Sequence, residues 1–192
     1  MNYVEVLYDK LKSSGKDNFL KRFNHSLGVS VTCLKVAESN NLDVDLDKLF
    51  IAGLLHDYAK YTTLEEYDRI LTKNGLDKEC LDENIKVLHG ICGYLIVQEE
   101  LGINDLDILN AIKYHVFGKD NMSVYEELVY LSDFIEPNRE GEFYDEIRKY
   151  AFSDYKKAIG IASYKLIKHL ESKNDKIHKN AYITYEYYKK FM

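Results

Sequence analysis

Apolar residues return along most of the chain at steps of three and four, the period of a helix with one buried face. Phe19, Phe23, Leu27, Val31 and Leu34 make one such stripe. Asp47 precedes Leu49 to Tyr58, which is apolar nearly all round and reads as a central, buried helix. Thr63 with Glu66, and Ser123 with Glu126, have the spacing of a capping box, in which side chain and backbone bond reciprocally at a helix start. The pattern predicts a short helix between Thr63 and Gly75, and a long one from Ile85 to Leu101 stopped by Gly102. It predicts others from Asp105 to Phe117, stopped by Gly118, and from Ser123 to Pro137. Further helices are expected near Tyr144 to Phe152, Tyr155 to Glu171 and Ala181 to Met192. No segment alternates with period two, and Asn74-Gly75 lacks flanking strands, so the expected fold class is all-α.

Composition agrees. The 192 residues include one proline, Pro137, and ten glycines, so few breakers interrupt long helices. With 46% hydrophobic and 30% charged residues the chain can bury a core as one domain over 1–192, Gly141 being the best candidate for a minor boundary. Lys plus Arg number 26 and Asp plus Glu 32, a net charge of −6, which argues against a nucleic-acid partner. An anionic small substrate stays allowed, because bound metal reverses the local sign. The longest apolar run, Leu49 to Leu55, is too short to span a bilayer, and Met1 to Leu11 lacks the basic and apolar regions of a leader; no membrane partner is expected. Cys33, Cys80 and Cys92 are odd in number and form no Cys-x-x-Cys pair, which reads as reduced, buried thiols in a cytoplasmic protein. Tyr182, Tyr185 and Tyr188 read as a packing stripe, His169 as a surface residue, and Glu65-Glu66 and Glu99-Glu100 as solvated faces.

The histidines carry the chemistry. Alone, each of His25, His56, His89 and His115 reads as an ordinary hydrogen-bonded helix residue. Asp133 is different: it sits in the apolar run Leu128 to Ile135, where a carboxylate is costly unless paired or bound to a metal. Taken in order, His25, His56-Asp57, His89, His115 and Asp133 put metal-capable side chains on five short elements that a helical bundle can bring together. Imidazole and carboxylate without thiolate suit iron, manganese or zinc. Six ligands exceed one tetrahedral site and suffice for two metals, with Asp57 the natural bridge.

These residues lie in the segments Arg22-Phe-Asn-His25, Ala52-Gly-Leu-Leu-His56-Asp57-Tyr-Ala-Lys60, Leu88-His89-Gly90, Ala111-Ile-Lys-Tyr-His115 and Ser132-Asp133-Phe-Ile-Glu136-Pro137-Asn-Arg139. The set resembles the HD-domain metal-dependent phosphohydrolases, and more closely their YqeK-type subgroup, the symmetrical bis(5′-nucleosyl)-tetraphosphatases. The resemblance covers about residues 20 to 180, the motifs about 20–140, with C-terminal helices over 143–192 packing onto them. It departs at Val116, where the family usually has threonine.

The resemblance implies an HD-domain helical bundle with a dinuclear metal site in its core. It implies that diadenosine tetraphosphate is cut symmetrically into two ADP by attack of a metal-bound hydroxide. His25, His56, Asp57 and Asp133 would bind one metal; His89, His115 and the shared Asp57 the other. Iron is the implied metal, with manganese and zinc as alternatives. Asp57 and Lys60 are the catalytic candidates, Lys60 as a cation or proton donor toward the leaving oxygen. Substrate contacts are expected from Arg22, His25, Asp57, Lys60, His89, His115, Asp133, Arg139 and His178, the last in a segment that would close over the nucleotide. The partner is then a dinucleoside polyphosphate, with a homodimer left open. Two other readings stay open: another HD-domain phosphohydrolase or phosphodiesterase, and a non-catalytic metal- or nucleotide-binding regulator.

Overall fold

The computed structural model describes residues 1–83 and 85–192, Lys86 by its backbone only. The described residues form eleven α-helices and no strand. In order these are α1 (Tyr3–Ser13), α2 (Phe19–Ser39), α3 (Leu46–Leu55), α4 (Leu64–Lys73), α5 (Ile85–Ile91), α6 (Gly93–Leu101), α7 (Leu106–Tyr114), α8 (Val124–Ile135), α9 (Glu142–Ala151), α10 (Tyr155–Ser172) and α11 (Lys179–Tyr188). Single 3-10 turns lie at Glu79–Asp82 and Lys189–Phe191.

Helix α8 is the axis of the fold. Ser123 and Glu126 close the expected capping box, and Leu128, Val129, Tyr130, Leu131 and Ser132 are all fully buried. It packs against α2, α3, α7, α9 and α10. The C-terminal helices are tied to it through a buried carboxylate: Glu127 accepts hydrogen bonds from Tyr188 at 2.7 Å and Tyr155 at 3.0 Å. No helix among the described residues is long and apolar enough to cross a membrane.

Helix α2 buries a different face from the expected stripe. Val31 is 39% exposed, while Ser26, Ser30, Cys33 and Ala37 face the core. Phe19 and Phe23 turn instead to Tyr8 of α1, a helix the sequence reading did not predict. Small residues line the buried face because α3 lies against it very closely. A Cβ at Gly53 would stand 2.8 Å from the Ser30 Cα, so an added methyl costs about 1–3 kcal/mol in overpacking.

Other boundaries shift for local reasons. The side chain of Asp45, not Asp47, caps α3, and the helix ends at Leu55, leaving His56 and Asp57 in the turn beyond it. Thr63 caps α4, but Glu66 does not return the bond; its carboxylate is taken by Arg69. The long helix expected from Ile85 to Leu101 breaks at Cys92, where α6 starts with Gly93 against Ala59; a Cβ there would lie 3.1 Å from the Ala59 Cβ. Helix α7 stops at Tyr114 rather than Phe117. The last helix is α11 with a 3-10 turn, and of the tyrosine stripe only Tyr188 is fully buried, Tyr182 being 44% exposed. Cys33 and Cys92 are buried as expected, whereas Cys80 is half-buried. Glu99 and Glu100 form surface ion pairs, with Arg69 and Lys73, and with Lys10.

Candidate metal centre

Five elements deliver the six ligand candidates to one place. His25 comes from the middle of α2, His56 and Asp57 from the turn after α3, His89 from α5, His115 from the end of α7 and Asp133 from α8. The close contact at Gly53 sets the His25 and His56 rings 5.2 Å apart, and His56 lies 4.9 Å from His115, which lies 5.0 Å from His89. The four imidazoles and Asp57 are buried.

Ring orientation is fixed from behind. The Nδ1 of His56 contacts the Gly53 carbonyl at 2.7 Å, and that of His115 the Ile112 carbonyl at 2.6 Å. His25 uses a carboxylate instead, Glu136 Oε1 at 3.1 Å. In all three the Nε2 atom is left to face the cluster. His25 Nε2 lies 3.0 Å from Asp133 Oδ1, and His56 Nε2 lies 3.4 Å from Asp57 Oδ2. His89 Nε2 lies 2.9 Å from Asp57 Oδ1 and 3.1 Å from His115 Nε2.

These contacts crowd without pairing. Among the described residues, His25 Nε2, His56 Nε2 and Asp57 Oδ1 are buried and have no partner in hydrogen-bond geometry. Buried polar atoms are normally satisfied, so unpaired ligand atoms that converge are a set that a metal cation fits. Ligand atoms of His25, His56 and Asp133 lie within 4.8 Å of one another, as do those of His56, Asp57 and His115. The donor set thus fits a metal centre. His56 reaches both groups, while His89 lies against Lys60, whose Nζ is 3.0 Å from its Nε2.

Electrostatics hold Asp57, Asp133, His89 and His115 in their metal-binding forms. Burial would raise the carboxyl of Asp57, but Lys60, His56 and His89 keep it well below the ordinary range. Asp133, raised by burial, is likewise held well below by His25 and Arg139. Burial lowers His89, and burial with the neighbouring His56 and His89 takes His115 well below the usual imidazole range. Burial also lowers His25, yet Asp133 and Glu136 outweigh it and its pKa is raised. Ionised carboxylates and neutral imidazoles are the forms that bind metal.

Cations surround the cluster. Arg22 pairs with Asp57 Oδ2, and Lys60 Nζ lies 3.5 Å from Asp57 Oδ1. Arg139 Nη2 bonds Asp133 Oδ1 at 2.6 Å. Two cavities open here and share Arg22: a polar one of about 820 Å³ with Lys21, His25 and Arg139, and a mixed one of about 500 Å³ with Lys16, Lys60, Tyr61 and Leu64. His178 lies apart from this group. It caps α11 and stacks on Phe117, ring centroids 4.5 Å apart, in a separate cleft with Cys80, Glu83 and Lys176.

Val116 and the turn after His115 are packed rather than polar. A Cβ at Gly90 would stand 2.5 Å from a Val116 methyl, so glycine beside His89 makes room for that side chain. Helix α11 holds the same turn: Thr184 Oγ1 donates to the Phe117 carbonyl at 2.8 Å and Asn180 Nδ2 to that of Gly118 at 3.2 Å. The residue missed by sequence reasoning is Glu136. Its signal is a carboxylate at the buried end of an apolar helix, the same signal that exposes Asp133.

Known proteins are similar to this chain in sequence and fold. The profile of the HD domain matches residues 22–138. A symmetrical bis(5′-nucleosyl)-tetraphosphatase of Bacillus subtilis is 35% identical over 86% of this chain and 88% of its own. One from Staphylococcus aureus is 40% identical over 69% of this chain and 68% of its own. Among solved structures, an HD superfamily hydrolase of Clostridium acetobutylicum, described as involved in NAD metabolism, superposes with a TM-score of 0.86 at 36% identity. That match covers 100% of this chain and 99% of the other.

Proposed function

Because the chain belongs to the HD-domain family, and within it to the symmetrical bis(5′-nucleosyl)-tetraphosphatases, we propose that it cleaves diadenosine tetraphosphate at the central phosphoanhydride, releasing two ADP. The observation that carries this reading is the convergence of six metal-capable side chains, with buried ligand atoms of His25, His56 and Asp57 left unpaired. His25, His56, Asp57 and Asp133 would hold one metal, and His89, His115 and the shared Asp57 a second. Iron at these positions would supply Lewis acidity toward the attacking water and the phosphate oxygens of an in-line displacement, and manganese or zinc suits the same donors.

The chain's own cations do the remaining work. Arg22 and Arg139 each pair with a candidate ligand carboxylate and line the polar cavity, so both can meet the phosphates beside the cluster. Lys60 lines the second cavity next to Asp57. Burial outweighs the attraction of Asp57 and lowers its pKa, which suits a proton donor to the leaving oxygen. Three free thiols support a cytoplasmic setting.

The test is a product analysis. Reduced, iron-loaded protein is incubated with diadenosine tetraphosphate, with a chelated control, and the nucleotides are separated. ADP alone, abolished by chelator, is the expected result. ATP plus AMP, or no turnover by protein shown to hold two metals, would overturn it.

A further inference from the structure

Cys80 and Cys92 lie against each other, Sγ to Sγ at 3.6 Å, twelve residues apart in the chain. Cys80 sits in the 3-10 turn Glu79–Asp82, which packs on α5. Cys92 is the residue between α5 and α6, and its backbone N–H donates to the Leu88 carbonyl at 2.8 Å. The stretch between the two thiols therefore contains all of α5, and with it His89. Their exposure differs. Cys92 is 1% exposed, whereas Cys80 is half-buried and opens on the cleft of about 620 Å³ that holds Lys176 and His178.

We propose that this pair is a redox modification site: a low-molecular-weight disulfide of the glutathione class oxidises Cys80 and Cys92 to an intramolecular disulfide, and the bond weakens metal binding at His89. The second half rests on the two-metal reading of the centre. Contact carries the first half. An accessible thiol touching a buried one supplies an attacking and a resolving sulfur. The Cys80 thiolate attacks one sulfur of the small disulfide and releases one thiol. Cys92 then attacks the Cys80 sulfur of the mixed disulfide and expels the second. Each cysteine proton passes to a departing thiolate, so two protein thiols are oxidised and one small disulfide becomes two thiols. Burial and the neighbouring Cys80 raise the Cys92 pKa while Lys113 draws it down, and capping Cys80 removes its share of the rise. In a reducing compartment such a bond is transient and senses redox poise rather than stapling the fold.

The place of His89 carries the second half. The other three histidines of the cluster are held through Nδ1 by a carbonyl or a carboxylate. Both ring nitrogens of His89 face Lys60 Nζ instead, at 3.5 and 3.0 Å, so α5 sets where it lies. Closing the two sulfurs from contact to bonding distance draws the end of α5 toward the 3-10 turn. That takes His89 off Asp57, which it meets at 2.9 Å.

The experiment treats the full chain with oxidised glutathione, alkylates it under denaturing conditions and reads the peptides by mass spectrometry. Manganese is titrated into the oxidised and the re-reduced protein. The expected product is a Cys80–Cys92 linkage, reversed by dithiothreitol, with Cys33 still reduced. Oxidised protein should bind the second manganese about tenfold more weakly and regain it on reduction. Cys80→Ser should bind manganese as the reduced wild type does, before and after the oxidant. Cys92→Ala should stop at glutathione on Cys80. Glutathione left on Cys80 in the wild type, with no linkage, would overturn the disulfide. A linkage that leaves manganese binding unchanged would overturn its coupling to His89. Reduced wild type that binds a single manganese, yet still forms the linkage, would strike down the two-metal reading and leave the modification site standing.

Discussion

Glu136 and His25 form a buried carboxylate–imidazole pair, Oε1 to Nδ1 at 3.1 Å, one end of which is locked in place. The other carboxylate oxygen accepts from the Asn138 backbone and side-chain nitrogens, each at 2.9 Å. Gly28, one turn after His25, makes this possible, since a Cβ there would stand 2.7 Å from Glu136 Oε2. A carboxylate behind a ligating imidazole fixes its tautomer and raises its basicity.

Glu136→Gln should therefore weaken metal binding by about 10–100-fold with the helical fold intact. An amide cannot accept on both sides, so either His25 or the Asn138 donors lose their partner. Metal titration followed by circular dichroism checks both halves; affinity equal to wild type would remove the role given to Glu136.

His89→Ala should lower metal content from two ions to one per chain. Its Nε2 meets Asp57 Oδ1 at 2.9 Å and His115 at 3.1 Å, so the variant strips one side of the cluster and spares the His25, His56 and Asp133 group. Elemental analysis gives the ratio. Full activity in the variant would end the two-metal proposal.

Lys60 sets a pH limit. Burial lowers its pKa, against the attraction of Asp57. As an acid it works only when protonated, so kcat should fall as pH rises through a value below the ordinary lysine pKa of about 10.4. In Lys60→Met that alkaline limb should vanish and kcat drop roughly 10²–10³-fold with both metals retained. A pH–rate profile unchanged by the substitution would show that another group donates the proton.

The thiols divide by burial. Burial pushes Cys33 up to about 12, and burial with the adjacent Cys80 takes Cys92 to about 12 as well. Iodoacetamide at pH 8 should label half-buried Cys80 in the native protein and reach Cys33 and Cys92 only on unfolding, as read by peptide mass spectrometry. Rapid native labelling of Cys33 would contradict the packing of α2 on α8.

The convergent cluster was legible because its chemistry resides in residue types that helices otherwise have little use for. An aspartate inside Leu128 to Ile135 announces itself, and so does His-Asp after an apolar run. What stayed hidden depends on tertiary approach. Periodicity offers Phe19 to Leu34 as the buried stripe of α2, but the Gly53–Ser30 contact selects the small residues instead. Nothing in the apolar pattern of Ile85 to Leu101 marks the break at Cys92, which meets the need to seat Gly93 on Ala59 while His89 points at Asp57. The position of His178, away from the cluster, was hidden for the opposite reason. A histidine in a loop has no periodicity to place it, and the fold uses this one as a cap stacked on Phe117.

The bracing of the turn after His115 by α11 has a consequence for the order in which the protein is made. Thr184 comes 67 residues after the carbonyl it holds, and Asn180 comes 62 after its own. A ribosome that has just delivered Asp133, the last of the six candidates, has yet to synthesise either brace. The nascent chain thus carries all six candidate side chains before either brace exists. The turn that carries His115 is therefore braced only once α11 has emerged and docked.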